Sequence, residues 1–173
     1  MTKNDIRALM RSREKEFSGG QSESAEIWAK VESLPVFGEA RTVLVYMAIP
    51  GEVPTSGFIE KWRGSKRIAI PLVEGDNLIL CEYDPAHLKA GYKGIPEPDE
   101  TAERISPEEI DLALVPGVAF AIKDGKMWRM GRGKGFYDRL LPRLRCPKAG
   151  IFFSYRLVDS LPLDPWDQPL DIL

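Results

Sequence analysis

The chain has 173 residues, enough for one compact domain with a sizeable core and short for two. Apolar residues make up 43% and charged residues 29%, which excludes collagenous, coiled-coil and wholly disordered readings. The balance of 24 Lys+Arg against 26 Asp+Glu gives a net charge of −2, which counts against a dedicated nucleic-acid binder without forbidding a local basic patch. Two cysteines, Cys81 and Cys146, are too few for a disulfide framework or a cysteine zinc site, and are read as reduced, inert thiols. The single His87 leaves no room for a multi-histidine metal site. It would also have to serve any Ser–His–Asp triad, yet it lies in a Pro-flanked polar stretch and reads as a surface residue. No apolar leader opens the chain and no run of about 18 apolar residues occurs. A cytoplasmic protein without membrane contact is therefore expected, as one domain over 1–173.

In chain order, residues 3–17 read as a helix with Ile6, Leu9, Met10 and Phe17 on one side, stopped by Gly19-Gly20. A second helix is expected at about 23–34, with Ile27, Trp28, Val31 and Leu34 inward, ended by Pro35. Thr42–Ala48 reads as a buried strand, 54–64 as a helix, and 67–71 and 78–82 as strands. Residues 84–109 read as a long Pro- and Gly-rich loop with at most one short helix. Strands are expected at 111–115, 118–122, 127–130 and 148–153, and a helix from about 135 to 144, interrupted by Pro142. Alternation of strands and helices predicts a mostly parallel sheet covered on both faces. Ligands bind such sheets at the carboxyl ends of the strands, which puts residues 48–55, 116–121 and 131–138 on one candidate rim.

Four features on or near that rim can do chemistry. The strongest is Arg129-Met130-Gly131-Arg132-Gly133-Lys134-Gly135-Phe136-Tyr137-Asp138-Arg139. Glycines allow successive backbone N–H groups to converge on an anion, the helix that follows adds its positive end, and the basic side chains add full charges. The loop suits a polyphosphate, although it is neither a P-loop nor a dinucleotide fingerprint. Asp138, in the first turn of the helix, reads either as a dipole partner or as a magnesium ligand. Lys3, Arg7 and Arg11 form a basic stripe at i, i+4, i+8 beside the apolar face of the first helix. Glu52 sits on the Pro-restricted loop after the first strand, where its carboxylate can accept from substrate N–H donors. The tail brings Asp164, Asp167 and Asp171 within eight residues, with Trp166 and Leu170 as possible anchors and a second metal carboxylate as a possible purpose.

Taken in order, these segments resemble the 5-formyltetrahydrofolate cyclo-ligase (5,10-methenyltetrahydrofolate synthetase) family over nearly the whole chain. The resemblance rests on Lys3-x-x-x-Arg7, Glu52-x-x-Thr55, Ile95-Pro-Glu-Pro98, Val115-Pro-Gly-Val-Ala-Phe120, Gly131-Arg-Gly-Lys-Gly-Phe-Tyr-Asp-Arg139 and Trp166-Asp-x-x-Leu-Asp171. It implies a three-layer, Rossmann-like α/β sandwich. It also implies ATP- and magnesium-dependent conversion of 5-formyltetrahydrofolate to 5,10-methenyltetrahydrofolate by a monomer, with no nucleic-acid partner. Carried over by position, Lys3 and Arg7 would contact ATP, and Arg129, Met130, Gly131, Arg132, Gly133, Lys134, Gly135, Phe136 and Tyr137 would wrap its phosphates. Met47, Glu52, Arg132, Gly133, Lys134, Gly135 and Phe136 would meet the folate. Lys134 and Arg132 would be the catalytic charges, and Asp138 and Asp167 would hold Mg2+. The chain departs from the family pattern at Ala121, where an Asp is usual, with Asp124 three residues later. Met130 replaces a Leu, and Phe136-Tyr137 replaces a Tyr pair. Two other readings compete: a non-catalytic nucleotide- or RNA-binding module, and a phosphotransferase acting on another pterin.

Overall fold

The computed structural model describes residues 1–173. Helix α1 (Lys3–Glu16) starts at a reciprocal cap, in which Thr2 Oγ1 accepts from the Asp5 N–H and the Asp5 carboxylate accepts from the Thr2 N–H. Ile6 and Met10 are its buried residues, and Phe17 caps its C-terminus. Helix α2 (Gly20–Ser33) begins earlier than expected, because Gly19 takes a left-handed conformation (φ 85°) and turns the chain straight into it. Pro35 ends α2 and opens a further short helix, α3 (Pro35–Glu39), where its missing N–H costs nothing.

The central sheet has six strands: β1 (Thr42–Leu44), β2 (Arg67–Glu74), β3 (Asn77–Glu82), β6 (Arg104–Ile105), β7 (Leu112–Val115) and β10 (Lys148–Gly150). Their spatial order is β10-β7-β1-β2-β3-β6. The pairs β10–β7, β7–β1 and β1–β2 are parallel, whereas β2–β3 and β3–β6 are antiparallel. The sheet is therefore parallel over the four strands from β10 to β2 and antiparallel over the remaining edge. Helix α4 (Ser56–Trp62) is the crossover between β1 and β2.

The sheet buries both faces, which is why its strands read as continuous apolar runs. On one face Val43, Val45, Ile68, Ile70, Leu112 and Leu114 meet Val31, Phe37, Phe58 and Ile59 of α2–α4. On the other, Leu44, Ala69, Ala113 and Val115 meet Phe120, Leu140, Leu141 and Leu144. This second layer comes from a hairpin, β8 (Ala119–Lys123) with β9 (Lys126–Met130), and from α5 (Phe136–Leu140). Strand β11 (Pro169–Leu170) pairs antiparallel with β9. No helix is long and apolar enough to cross a membrane.

Several boundaries differ from expectation for identifiable reasons. The expected helix 135–144 is α5 followed by a 3-10 turn over Leu141–Arg143, since Pro142 cannot donate to the carbonyl four residues back. Strands at 42–48 and 148–153 hold ladder pairing only to Leu44 and Gly150; beyond them single bonds persist, Val45 N–H to Ala69 O and Ile151 N–H to Val115 O. The helix over 54–64 is shortened to Ser56–Trp62, and the Pro54 carbonyl instead accepts from Trp28 Nε1 at 2.9 Å. Residues 84–109 are more ordered than a loop: 3-10 turns at Pro85–His87, Tyr92–Gly94 and Pro107–Glu109, a ribbon of β4 (Leu88–Ala90) with β5 (Pro96–Pro98), and β6.

Phe120 locks the hairpin to the sheet. Its ring is fully buried and stacks on Phe152 with centroids 3.9 Å apart and planes 13° apart. Room for it exists because two neighbours lack side chains: a Cβ on Gly117 would lie 2.7 Å from Phe120 Cζ, and one on Gly150 2.9 Å from Cε1. Deleting this ring leaves a cavity that those rigid neighbours cannot fill. Phe120→Ala is expected to lower the unfolding free energy by about 3–5 kcal/mol, measured by urea denaturation.

Candidate active site

Strands β1, β7 and β10 all point their carboxyl ends at one edge, and the loops leaving that edge meet there. The phosphate-type loop follows β9 as expected. Gly133 (φ 105°) and Gly135 (φ 71°) both adopt positive φ, and Gly135 is the N-cap of α5 in the left-handed region that excludes most side chains. Arg132 and Lys134 are exposed, and neither side chain has a hydrogen-bond or ion-pair partner within the chain, so both charges are available to a ligand. The loop is held from outside by Arg139, which donates to Lys134 O at 2.9 Å and to Asp76 O at 2.7 Å.

Arg7 reaches the loop from α1: its Nε donates to Gly131 O at 3.2 Å, and a Cβ on Gly133 would lie 3.5 Å from its Nη2. Lys3, one turn earlier, binds the tail, with Nζ 2.7 Å from Asp164 Oδ2 and 2.9 Å from Asp167 Oδ2. Burial alone would lower the Lys3 ammonium, but the two carboxylates outweigh it and hold the group above its usual range. Arg11, third in the stripe, is exposed and is not brought to the site.

Asp138 and Asp167 do approach one another. Burial raises the Asp138 carboxyl above its usual range, Asp167 adds to the rise, and Arg129, the Gln168 backbone N–H and Lys3 pull it back. Asp167 is buried, and its Oδ2 accepts from the Asp164 N–H at 2.7 Å. The tail is anchored by Leu170, which is 1% exposed; Trp166 is 62% exposed and anchors nothing.

Arg129 lies beneath the loop rather than on it. It is buried, its Nε donates to Pro116 O at 2.9 Å, and its guanidinium sits 5.0 Å from the Tyr137 ring centroid. Burial pushes this guanidinium down from its usual range, against the pull of Asp138, Glu52 and Asp167. Met130 is also buried, in the cluster with Ile6 and Met10 that seats α1. Phe136 and Tyr137 are half-buried against the second core layer, and burial raises the Tyr137 phenol well above its usual range. The residues from Arg129 to Tyr137 thus divide into a buried support and an exposed rim.

Glu52 is half-buried after β1 and accepts from the Ile49 N–H at 3.0 Å. Burial raises its carboxyl above the usual range, opposed by that N–H and by Arg132, Arg156 and Arg129. Those opposing charges place Glu52 in the same field as the glycine loop. Met47 is half-buried just before it. Tyr46 is buried below, its hydroxyl donating to Val53 O at 2.7 Å.

Ala121 is buried in β8 opposite Trp128, and Asp124 (φ 53°) does not stand in for the missing acid. Asp124 and Gly125 form the tight turn between β8 and β9, both at positive φ as a two-residue hairpin demands. The cysteines are buried and free, and burial pushes the Cys146 thiol up to about 11. His87 is half-buried, with Nδ1 2.6 Å from Thr101 Oγ1. One buried site residue escaped the sequence reading altogether: Arg156, whose Nη2 donates to Gly51 O at 2.7 Å. It belongs to no motif, and an arginine near a terminus reads by default as solvated.

Known proteins are similar to this chain in sequence and in fold. The model of the 5-formyltetrahydrofolate cyclo-ligase family matches residues 1–173. The 5-formyltetrahydrofolate cyclo-ligase of Escherichia coli K12 is 34% identical over 140 residues, spanning 76% of this chain and 75% of that protein. A probable 5-formyltetrahydrofolate cyclo-ligase of Schizosaccharomyces pombe is 30% identical over 100% of this chain and 94% of its own. The NMR structure of Aquifex aeolicus 5,10-methenyltetrahydrofolate synthetase superposes with a TM-score of 0.84 at 35% identity, covering 99% of this chain and 88% of that one. With a match that runs from the first residue to the last, the chain belongs to the 5-formyltetrahydrofolate cyclo-ligase family.

Proposed function

We propose that this chain catalyses the ATP-dependent closure of 5-formyltetrahydrofolate to 5,10-methenyltetrahydrofolate, with release of ADP and phosphate. The observation that carries the reading is the meeting of an ionisable carboxylate, Glu52, with the exposed charge of Arg132 on the glycine loop and the buried charge of Arg129 beneath it, at one end of the sheet. A pterin offers N–H donors that match the carboxylate, and a triphosphate matches the glycine loop. The two core layers on opposite sheet faces support reading the fold as a three-layer, Rossmann-like sandwich.

In this scheme the formyl oxygen attacks the γ-phosphorus of ATP, and the bond to the bridging oxygen of ADP breaks. N10 of the folate then attacks the phosphorylated formyl carbon, and as the ring closes N10 gives up its proton and the C–O bond breaks, so that phosphate leaves with that proton. Both steps need positioning and charge neutralisation more than a protein nucleophile. Arg132, Lys134 and the loop N–H groups would stabilise charge on the transferring phosphoryl group. Arg7 and Lys3 would hold the nucleotide, and Glu52 would orient the pterin, with Met47 and Phe136 lining the pocket.

The donor set fits magnesium. No three His, Cys, Asp or Glu side chains cluster into a cage, but Asp138 and Asp167 present two oxygen ligands whose mutual repulsion a cation relieves. Mg2+ is commonly held by one or two carboxylates with waters and substrate phosphates completing its shell. Bound there, it would offset negative charge on the phosphates during transfer.

Two outcomes are expected. Formation of the methenyl product, followed by its absorbance with 5-formyltetrahydrofolate, ATP and Mg2+, should be slowed in Lys134→Ala by about 3–4 kcal/mol, the scale of one lost charge-stabilising donor. A fully active Lys134→Ala enzyme, or no turnover by the parent chain, would overturn the reading. The second outcome concerns pH. Because burial raises the Glu52 carboxyl, it protonates at a higher pH than an exposed glutamate, and folate binding is lost as pH falls through that raised value. The folate KM should therefore climb on the acid side at a higher pH than ordinary carboxylates titrate. Glu52→Gln should abolish that limb and weaken folate binding by about 1.5–3 kcal/mol, the scale of a hydrogen bond to a charged group, as read from KM across a pH series.

A further inference from the structure

The structure assigns Arg156 a positioning role for Glu52: its guanidinium ties the Gly51–Glu52 turn to the Pro116–Val118 turn, and through that turn to the phosphate loop. This inference rests on the reading of Glu52 as the folate contact.

Arg156 lies in the 3-10 turn Ser154–Arg156 beyond β10 and is 4% exposed. It forms no ion pair. Nη1 donates to Val118 O at 3.0 Å and Nη2 to Gly51 O at 2.7 Å, while Nε is buried without any partner. The guanidinium packs 4.8 Å from the Tyr155 ring centroid, and the Tyr155 hydroxyl also approaches Gly51 O, at 3.4 Å. A buried cation with an unfilled donor is a poor device for stability alone, because an apolar side chain would fill the space without the desolvation cost. What the guanidinium supplies is geometry: a planar fork with two nitrogens fixed relative to one another, each bound to a different loop.

Both loops belong to the site. Gly51 has a φ of 91°, and a Cβ there would sit 3.1 Å from Arg156 Nη2 and run into the Glu14 carboxylate. That backbone turns the Gly51 carbonyl toward Arg156 and leaves the next residue, Glu52, folded back on the Ile49 N–H. At the other end, the 116–118 turn is gripped a second time: Arg129 Nε donates to Pro116 O at 2.9 Å. The Arg129 guanidinium stacks near Tyr137 and lies 3.1 Å from where a Gly131 Cβ would be. One short turn is thus held by two buried arginines, one reaching the Gly51 carbonyl beside Glu52 and the other supporting the phosphate-side loop.

The test is steady-state kinetics with 5-formyltetrahydrofolate, ATP and Mg2+ on Arg156→Lys, Arg156→Met, Gly51→Ala and Glu52→Gln, with thermal midpoints measured alongside. Loss of the fork should raise the folate KM roughly tenfold or more in Arg156→Met, leaving the ATP KM within about twofold and kcat little changed. Arg156→Lys keeps the charge but spans only one carbonyl, and should fall between parent and Met variant. Gly51→Ala moves the same turn from the other side and should reproduce the selective folate effect. If Arg156→Met fails to fold, the Lys and Gly51→Ala variants decide. The inference is overturned if those variants bind folate normally while Glu52→Gln does not, or if both KM values shift together. If Glu52→Gln itself leaves the folate KM unchanged, the assignment of Glu52 fails and this inference fails with it.

Discussion

Two guanidinium groups out of reach of water, on Arg129 and Arg156, are bonded to backbone carbonyls of a single turn, Pro116–Val118. A buried cation is tolerated only where fixed dipoles replace its water shell. Here much of that replacement comes from main-chain oxygen of the loops that surround the site. The consequence is mutual: the arginines need the loops in place, and the loops cannot drift without stranding a charge. The central sheet and Phe120 set the position of the turn, since β7 runs into it and β8 leaves it. Precision at the rim therefore descends from packing between the sheet and the β8–β9 hairpin.

The same economy governs the charges a ligand would meet. The net charge of −2 conceals a rim on which Arg132 and Lys134 have no partner within the chain. Lys3 is different, because its ammonium already holds Asp164 and Asp167. An ammonium has three donors, and Nζ meets three carboxylate oxygens, Asp164 Oδ2 at 2.7 Å and Asp167 Oδ2 and Oδ1 at 2.9 and 3.2 Å, so its donors are committed to the tail. Asp138 and Glu52 are both raised by burial, and both sit among cations that pull them back toward ionisation. The rim is thus balanced with its charges unspent, a state suited to a polyanionic ligand and a divalent ion.

Much of this was legible in the sequence, for reasons that also explain what was not. The runs Thr-Val-Leu and Leu-Ala-Leu-Val announced strands buried on both faces, and the glycine–basic alternation announced a loop of positive φ. What the periodicity could not give was strand direction. Strands β2 and β3 are joined through the two residues Gly75-Asp76 and run antiparallel, so the parallel sheet ends there. Nor could a linear reading sort Arg129 from Arg132, three residues apart and opposite in burial, because the sorting is done by the Pro116 carbonyl far away in sequence. Arg156 was invisible for the same reason: both of its partners, Val118 and Gly51, are long-range. The Ala121 departure falls, in three dimensions, on a small side chain buried within the hairpin.

The two ends of the chain close on one another at this site, which changes what the terminal segments mean. Chain termini ordinarily fray unless something ties them down. Here Leu170 is buried and paired with Met127 of β9, while the Asp171 carboxylate accepts from the Lys148 N–H at 2.8 Å and its own N–H donates to Lys148 O. Strand β9 continues directly into the glycine loop, so the tail takes its register from the element that positions that loop. Asp167 is thereby fixed near Asp138 and within reach of Lys3, on the first turn of α1. Removing either end would take away a site charge and also release the other end's partner. The order of the termini and the assembly of this end of the sheet are one structural event.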